Sequence, residues 1–472
     1  MTAPGIAADR LLPADPATRG VARRLYETVR RAPIISPHGH VDAGVLVRDE
    51  PFADPAALFI STDHYVTRIL HSHGVPLDAL GVGDSPADPR SVWRLLCEHW
   101  PRFLGTTVRY WLECELGEVF GVHETFDASS SDRVYDRVAE LLADPAYRPR
   151  ALFERFGIEV LATTDDPADD LAAHHQLAQD PTWRGRVLPT FRADRYMDPA
   201  APGWRAAVNE LARRADVDCS TYAGLLDALR ARRAAFAAAG GTATDSGVVD
   251  AGCEPLPAHE AERIHRAGLE GTVTAAEGAA ARRNLLYRLA EMSCEDGLVM
   301  QLHAGVLRNT HRPTFARFGP DTGHDLPDAT SFTRALSPVL QDFGTDPGLH
   351  LVLFTVDEST FSREIAPLAG FYPAVYAGAP WWFLDSPAAI ERYRRTVTEG
   401  AGFFKTSGFV DDTRAFCSIP ARHDMARRLD AGYLADLVVR HVLDEEAAAG
   451  VIARLVDDVP RQTFRLGGAR GR

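Results

Sequence analysis

The sequence predicts an α/β fold, a (β/α)8 barrel of the TIM type with a helical insertion after its first strand. Three observations point there. Eight short runs rich in branched apolar residues each end in polar groups, and segments of helical period lie between them. The chain has 472 residues, beyond the common domain length of about 150 but ordinary for a barrel that forms one unit. Alternating strand and helix marks a parallel sheet, and eight such units favour a closed barrel over a doubly wound sheet.

In chain order, Arg19–Arg31 reads as a helix, and Pro33-Ile34-Ile35 opens the first strand, which runs out in Ser36-Pro37-His38-Gly39-His40. The other strand runs are 158–164, 186–192, 241–246, 298–303, 350–356, 374–378 and 403–410. The run at 241–246 has the poorest apolar character, and the count of eight is what places it. Helices are expected over Trp204–Ala215, Tyr222–Ala239 and Ala258–Met292. The stretch between the first two strand runs is too long for one crossover. Approximately residues 44–150, with Trp93, Trp100 and Trp111 among several helical patterns, form the insertion. Loops after barrel strands build the active site, so an insertion at this point covers the mouth. With no internal repeat and no low-complexity linker, residues 1–472 read as a single barrel.

Lys plus Arg number 51 and Asp plus Glu 65, a formal charge of −14. Such a chain lacks the cationic surface that nucleic acids and anionic membranes require, so neither is an expected partner, and an anionic small molecule must be held by local charges. The six cysteines are dispersed without a C-x-x-C pair, which argues against a disulfide framework or a sulfur-rich zinc site and suits a reducing cytoplasm. The N-terminus shows no export pattern, and no apolar run of about 18 to 20 residues suggests a membrane span. A homo-oligomer is left open.

His38 and His40 lie two apart on a predicted strand, so their imidazoles share the face at the barrel mouth, an arrangement that suits a divalent metal. Such a metal needs an anionic ligand. Val410-Asp411-Asp412-Thr413-Arg414 follows the last strand run, beside the first in a closed barrel, and Asp412 is the candidate; the alternative is that Asp411 or Asp412 caps a helix. Arg192 ends an apolar strand, where a guanidinium is stranded without an anion, either a substrate carboxylate or a structural partner. Asp166-Pro167 reads as a helix start, Trp381-Trp382 as a pocket wall or as packing, and His174-His175 as solvated surface.

These residues, taken in order, resemble the uronate (glucuronate) isomerase family of the amidohydrolase superfamily. The resemblance rests on His38/His40, Asp63-His64-Tyr65 with Arg68, Thr163-Thr164-Asp165-Asp166-Pro167, Leu188-Pro189-Thr190-Phe191-Arg192, Gln301-Leu302-His303-Ala304-Gly305 with Arg308-Asn309, Gly378-Ala379-Pro380-Trp381-Trp382, and Asp412-Thr413-Arg414. It implies conversion of D-glucuronate to D-fructuronate and of D-galacturonate to D-tagaturonate, with one divalent ion, Zn2+, held by His38, His40 and Asp412. It also implies substrate contacts from Arg192, Arg414, His303, Asp245, Arg308 and Trp381, and proton transfer by His64, Tyr65 and Asp412; His303 is open as ligand or substrate contact. The chain departs from the family pattern: Ser36 and Gly39 replace the Asp and Cys of D-x-H-C-H, Ser246 replaces the His of S-D-H-G, and Glu113 replaces the His of W-T-H-L-E. These departures read as a divergent branch.

Aldose–ketose isomerisation moves a proton from carbon 2 to carbon 1 through an enediol. It needs a base, groups that hold the developing oxyanion, and a clamp for the distant carboxylate. Tyr65 is the preferred base over His64 if neighbouring positive charge lowers its pKa from about 10. The pair is expected in an extended loop, with only one ring aimed at the substrate. The rivals are a zinc-dependent hydrolase on the same scaffold and a non-catalytic protein that binds sugar acids.

Overall fold

The computed structural model describes residues 7–83, 87–124 and 126–467. Its strands are β1 (Ile34–Ser36), β2 (Ile158–Ala162), β3 (Arg186–Leu188), β4 (Phe191–Arg192), β5 (Ala243–Val248), β6 (Val299–Ala304), β7 (Val306–Leu307), β8 (Leu326–Pro327), β9 (Leu351–Thr355) and β10 (Val375–Ala377). Parallel pairing runs β1-β2-β3 in one sheet and β10-β9-β6-β5-β4 in another, while β7 and β8 form a small antiparallel ribbon. Single contacts join the two sheets into a ring. Asp165 bridges to Phe191, Ala377 bridges to Thr406, and the His40 amide donates to the Thr413 carbonyl at 2.9 Å. β6 and β9 are buried at every position, as strands covered on both faces must be.

The run at 186–192 is split because Pro189 has no amide to donate to the ladder. The run at 241–246, weakest by composition, forms a six-residue strand shifted to 243–248, fully paired with β6. The run at 403–410 forms no strand: it touches β10 through one bridge at Thr406. Gly402 and Gly408 turn with φ of 77° and 70°, and the Ser407 hydroxyl takes up the Gly408 carbonyl. The expected helix over 258–292 is two, Ala258–Glu270 and Ala275–Asp296. Gly271 (φ 74°) ends the first, and a capping box of Thr274 with Glu277 starts the second.

Between β1 and β2 the described residues hold helices only, among them His64–Ser72, Pro89–His99, Thr107–Cys114 and Ser131–Leu142. Their shared core centres on Trp93, whose indole N–H donates to the Ser131 carbonyl at 3.0 Å. The long helix Ile419–Val439 is buried along most of its length against Pro16–Val29, the first helix, which begins earlier than expected because Asp15 caps it and Pro16 starts it. No described helix is long and apolar enough to cross a membrane.

Candidate metal centre and active-site cavity

A cavity of about 410 Å3 opens at the carboxyl ends of the strands, lined by residues from β1's exit, the insertion, and the loops after β4, β6, β10 and Thr406. At its floor the chain leaving β1 presents His38 and His40 to Asp412: Nε2 of His38 is 3.3 Å and Nε2 of His40 3.0 Å from Asp412 Oδ1. The strand ends at Ser36, so the histidines converge from the turn beyond it. Asp412 adopts φ 44°, a left-handed conformation that a β-substituted residue takes at a cost, and here it aims the carboxylate between the two imidazoles. On the far side of His38, Nε2 of His303 lies 3.3 Å from Asp245 Oδ1, and the His38 and His303 rings are 4.9 Å apart. Two triads of ligand atoms, His38/His40/Asp412 and His38/Asp245/His303, thus share His38.

Both imidazole nitrogens of His38, Nε2 of His303, Oδ1 of Asp412 and both oxygens of Asp245 are buried without a hydrogen-bond partner. Buried polar atoms are rarely left so, and a set of imidazole nitrogens and carboxylate oxygens fits a divalent cation. Burial alone raises a carboxyl's pKa, yet the imidazoles hold Asp412 well below the usual range, and His303 and Arg192 bring Asp245 down to about 2. Burial lowers His303 to about 3, leaving a neutral imidazole. Asp411 caps no helix; its carboxylate meets His423 Nε2 at 3.0 Å.

Arg192 is not stranded. Its Nε donates to Asp194 at 2.7 Å and its Nη1 lies 3.1 Å from Asp245, and these carboxylates overcome the burial that works against its charge. A Cβ on residue 247 would stand 2.4 Å from Arg192 Nη2, which explains the glycine there. Arg308 pairs with Asp325 at 2.9 Å and lies over the Trp382 ring, and Arg414 meets Asp321 at 3.1 Å. Trp381 packs 4.5 Å from His303 and Trp382 5.7 Å from His64, so both indoles wall the cavity and pack at once.

His64 and Tyr65 lie on the first turn of helix His64–Ser72, where Asp63 accepts the Tyr65 amide, and not on an extended loop. Adjacent helical positions do not ordinarily face each other, yet these two rings stack at 4.7 Å with 21° between planes, and both line the cavity. Burial pushes the Tyr65 phenol far above its ordinary value; Arg422, whose guanidinium is 5.0 Å from the ring, opposes this but does not outweigh it. The expectation of a lowered Tyr65 pKa is therefore reversed. Burial and Arg414 lower His64 to about 3.

Behind Tyr65, Arg422 is wholly buried. It pairs with Asp385 at 2.7 Å, donates to the Asp411 carbonyl, and covers Trp111 at 3.6 Å. Asp166 accepts from the Ala168 amide and the Tyr196 hydroxyl and starts a turn, with the next helix beginning only at Ala172. His174 is buried, 2.8 Å from the Thr163 hydroxyl, while His175 is exposed as expected. Sequence reasoning missed Asp194, Asp321, Asp325, Asp385 and Arg422. The Arg-x-Asp spacing at 192–194 was no signal by itself, since arginine partners come from loops without periodicity.

A parallel barrel that gathers two histidines at the exit of its first strand and an aspartate at its last segment around one cavity has the architecture of the amidohydrolase-like enzymes, with a buried His/Asp group able to bind a metal. The sequence profile of the family described as glucuronate isomerase matches residues 16–463. The uronate isomerase of Corynebacterium efficiens is 51% identical over 460 residues, 97% of this chain and 98% of that one, and that of Rhizorhabdus wittichii 50% identical over 458, with the same coverage. The crystal structure of glucuronate isomerase from Caulobacter crescentus superposes with a TM-score of 0.97 at 42% identity, covering 99% of this chain and 98% of that one. The chain belongs to the glucuronate isomerase family.

Proposed function

We propose that the chain interconverts aldose and ketose hexuronates, D-glucuronate with D-fructuronate and D-galacturonate with D-tagaturonate, in the cavity above His38, His40 and Asp412. The observation that carries this reading is that one cavity gathers the His/Asp cluster, the His64–Tyr65 stack and arginines suited to a carboxylate. Family membership favours it over the hydrolase and the non-catalytic sugar-acid binder. His38, His40 and Asp412 would hold one Zn2+, and the bound ion would supply Lewis acidity toward a sugar oxygen.

The protein's own groups divide the remaining work. His64, neutral and with an unpartnered buried Nε2, accepts the proton from carbon 2 and returns it to carbon 1. Tyr65, protonated at rest, gives its phenol proton to the oxygen at carbon 1 and takes the carbon 2 hydroxyl proton in its place, so that it ends the turnover as it began. Trp381 and Trp382 exclude water, and Arg414 fixes the carboxylate end. The six free cysteines support a reducing compartment, the cytoplasm. The test is a panel of hexuronates followed for ketose formation in deuterated water. His64→Asn is expected to lose both ketose formation and exchange at carbon 2, and Tyr65→Phe to slow turnover while exchange continues. Normal exchange in His64→Asn would move the base elsewhere, and no ketose from any hexuronate would sink the reading.

A further inference from the structure

Each of the three arginines in the cavity already faces a carboxylate of the protein itself. Arg192 sits between Asp194 and the fully buried Asp245. Arg308 donates to Asp325, which is 3% exposed. Among the described residues Arg414 has one carboxylate partner, Asp321, and both side chains of that pair are 41% exposed. The two oxygens of Asp321 serve different guanidiniums: Oδ2 is 3.1 Å from Arg414 and Oδ1 3.6 Å from Arg308. A single carboxylate therefore spans two arginines that reach the mouth from separate loops, which is the contact that the carboxylate of a sugar acid would make.

Of these internal anions, Asp321 is the one built to leave. Asp245 and Asp325 are buried, and Asp194 is tied to the Gly247 amide at 3.1 Å as well as to Arg192. Asp321 is held by side-chain charge contacts at an exposed position, on a backbone of left-handed residues: Gly319 at φ 78°, Asp321 at 61° and Gly323 at 91°. Around Gly319 there is open space. A Cβ on Gly323 would lie 3.0 Å from Arg68 Cβ and 3.5 Å from the His64 carbonyl, so the segment is seated on the His64 helix at that end, and just before Gly319 it is tied by Arg317 to Asp78 at 2.6 Å, which leaves Asp321 between two anchored points. When Asp321 withdraws, Arg308 keeps Asp325, and Arg414 alone is released.

We propose that Asp321 is an internal competitor for the substrate carboxylate, occupying the anion subsite between Arg308 and Arg414 in the free enzyme and yielding it to an incoming hexuronate. The proposal rests on the isomerase reading above and deepens it, because it assigns the carboxylate to Arg414 with Arg308 at its side and leaves Arg192 to its two internal partners. Exchange of one carboxylate for another means that Arg414 is never a bare cation at the mouth. It also weakens the hold on the product, which carries the same carboxylate, since Asp321 returns as the product leaves. An exposed ion pair of this kind is worth a factor of up to about five in an equilibrium constant.

D-Gluconate, which has the carboxylate and hydroxyls of a sugar acid but no aldehyde to isomerise, is the probe. It is titrated calorimetrically into the wild-type chain, Asp321→Asn, Arg414→Met and the double variant, and KM and kcat for D-glucuronate are measured alongside. The expected result is that Asp321→Asn lowers the gluconate Kd and the glucuronate KM together by about three- to fivefold, and that it changes nothing once Arg414 is Met. Asp321→Ser, too short to bridge the arginines, should match Asp321→Asn. A Kd that is unchanged or raised in both Asp321 variants overturns the proposal, as does an equal gain in the Arg414→Met background or an absence of gluconate binding in every protein. If no protein in the set converts hexuronates while gluconate binding still tightens in Asp321→Asn, the isomerase reading fails and the internal competitor stands.

Discussion

Replacing Arg422 by Met tests whether the ion pair behind Tyr65 holds the site together. The Arg422 and Asp385 side chains are 1% and 2% exposed, and their charged atoms are 2.7 Å apart. Removing the guanidinium strands the Asp385 carboxylate in a medium that cannot solvate it, and breaking a buried pair in this way costs about 3–5 kcal/mol. The Asp411 carbonyl and the Ser418 hydroxyl also lose a donor, at about 1 kcal/mol each. Urea unfolding followed by circular dichroism should therefore place Arg422→Met about 5–7 kcal/mol below wild type, with turnover reduced as Tyr65 and Trp111 lose the cation packed on their rings. Arg422→Met/Asp385→Asn, with neither charge left to bury, should recover at least about 2 kcal/mol of the loss. A single variant within about 1 kcal/mol of wild type, or a double variant no better than the single, would refute the reasoning.

The metal centre predicts that His38→Ala/His40→Ala retains less than about a tenth of the divalent metal of wild type by elemental analysis, whereas His303→Asn keeps most of it; unchanged loading in the double variant rules out the His38/His40/Asp412 set. Arg192→Met leaves Asp194 and Asp245 facing each other without a counterion, so its thermal midpoint should fall steeply, while Arg414→Met stays close to wild type in stability and raises KM through a lost contact of about 2 kcal/mol or more. Equal stability losses in the two variants would contradict the internal pairing of Arg192. His64, lowered to about 3 in the fold, binds fewer protons there than in the unfolded chain, so its contribution to stability diminishes as pH falls from about 6.5 toward 3, and His64→Asn should unfold at a lower pH than wild type. A His64 imidazole titrating between pH 6 and 7 by NMR would show that the ring is solvated.

The barrel was legible because β2, β6 and β9 are buried runs of branched residues that break into polar groups where the mouth begins. His38, His40 and Asp412 could be singled out as candidates by their place just past the first and last runs, although the histidines converge from the turn beyond β1 and the last run forms no strand. Neither argument reaches Thr406. Where the last strand was expected, the backbone groups are satisfied by side chains such as Ser407, and composition does not distinguish that from a ladder. His64 and Tyr65 were found by motif but misplaced, because the Asp63 cap that begins their helix is a single side-chain bond. The carboxylates that balance the arginines were invisible because a loop carries them at spacings without periodicity, Asp321 93 residues before Arg414 and Asp325 17 residues after Arg308.

The ring of strands is joined end to end by the His40 amide and the Thr413 carbonyl, residues near opposite extremes of the chain. During synthesis, at roughly 5–20 residues per second, β1 therefore emerges on the order of half a minute before its last neighbour exists. Until then it has β2 on one side, an open edge on the other, and His38 and His40 facing no Asp412. A nascent or truncated chain lacking the C-terminal segment cannot assemble the cluster at all. A cluster drawn from residues 38, 40 and 412 is present only in molecules whose barrel has closed.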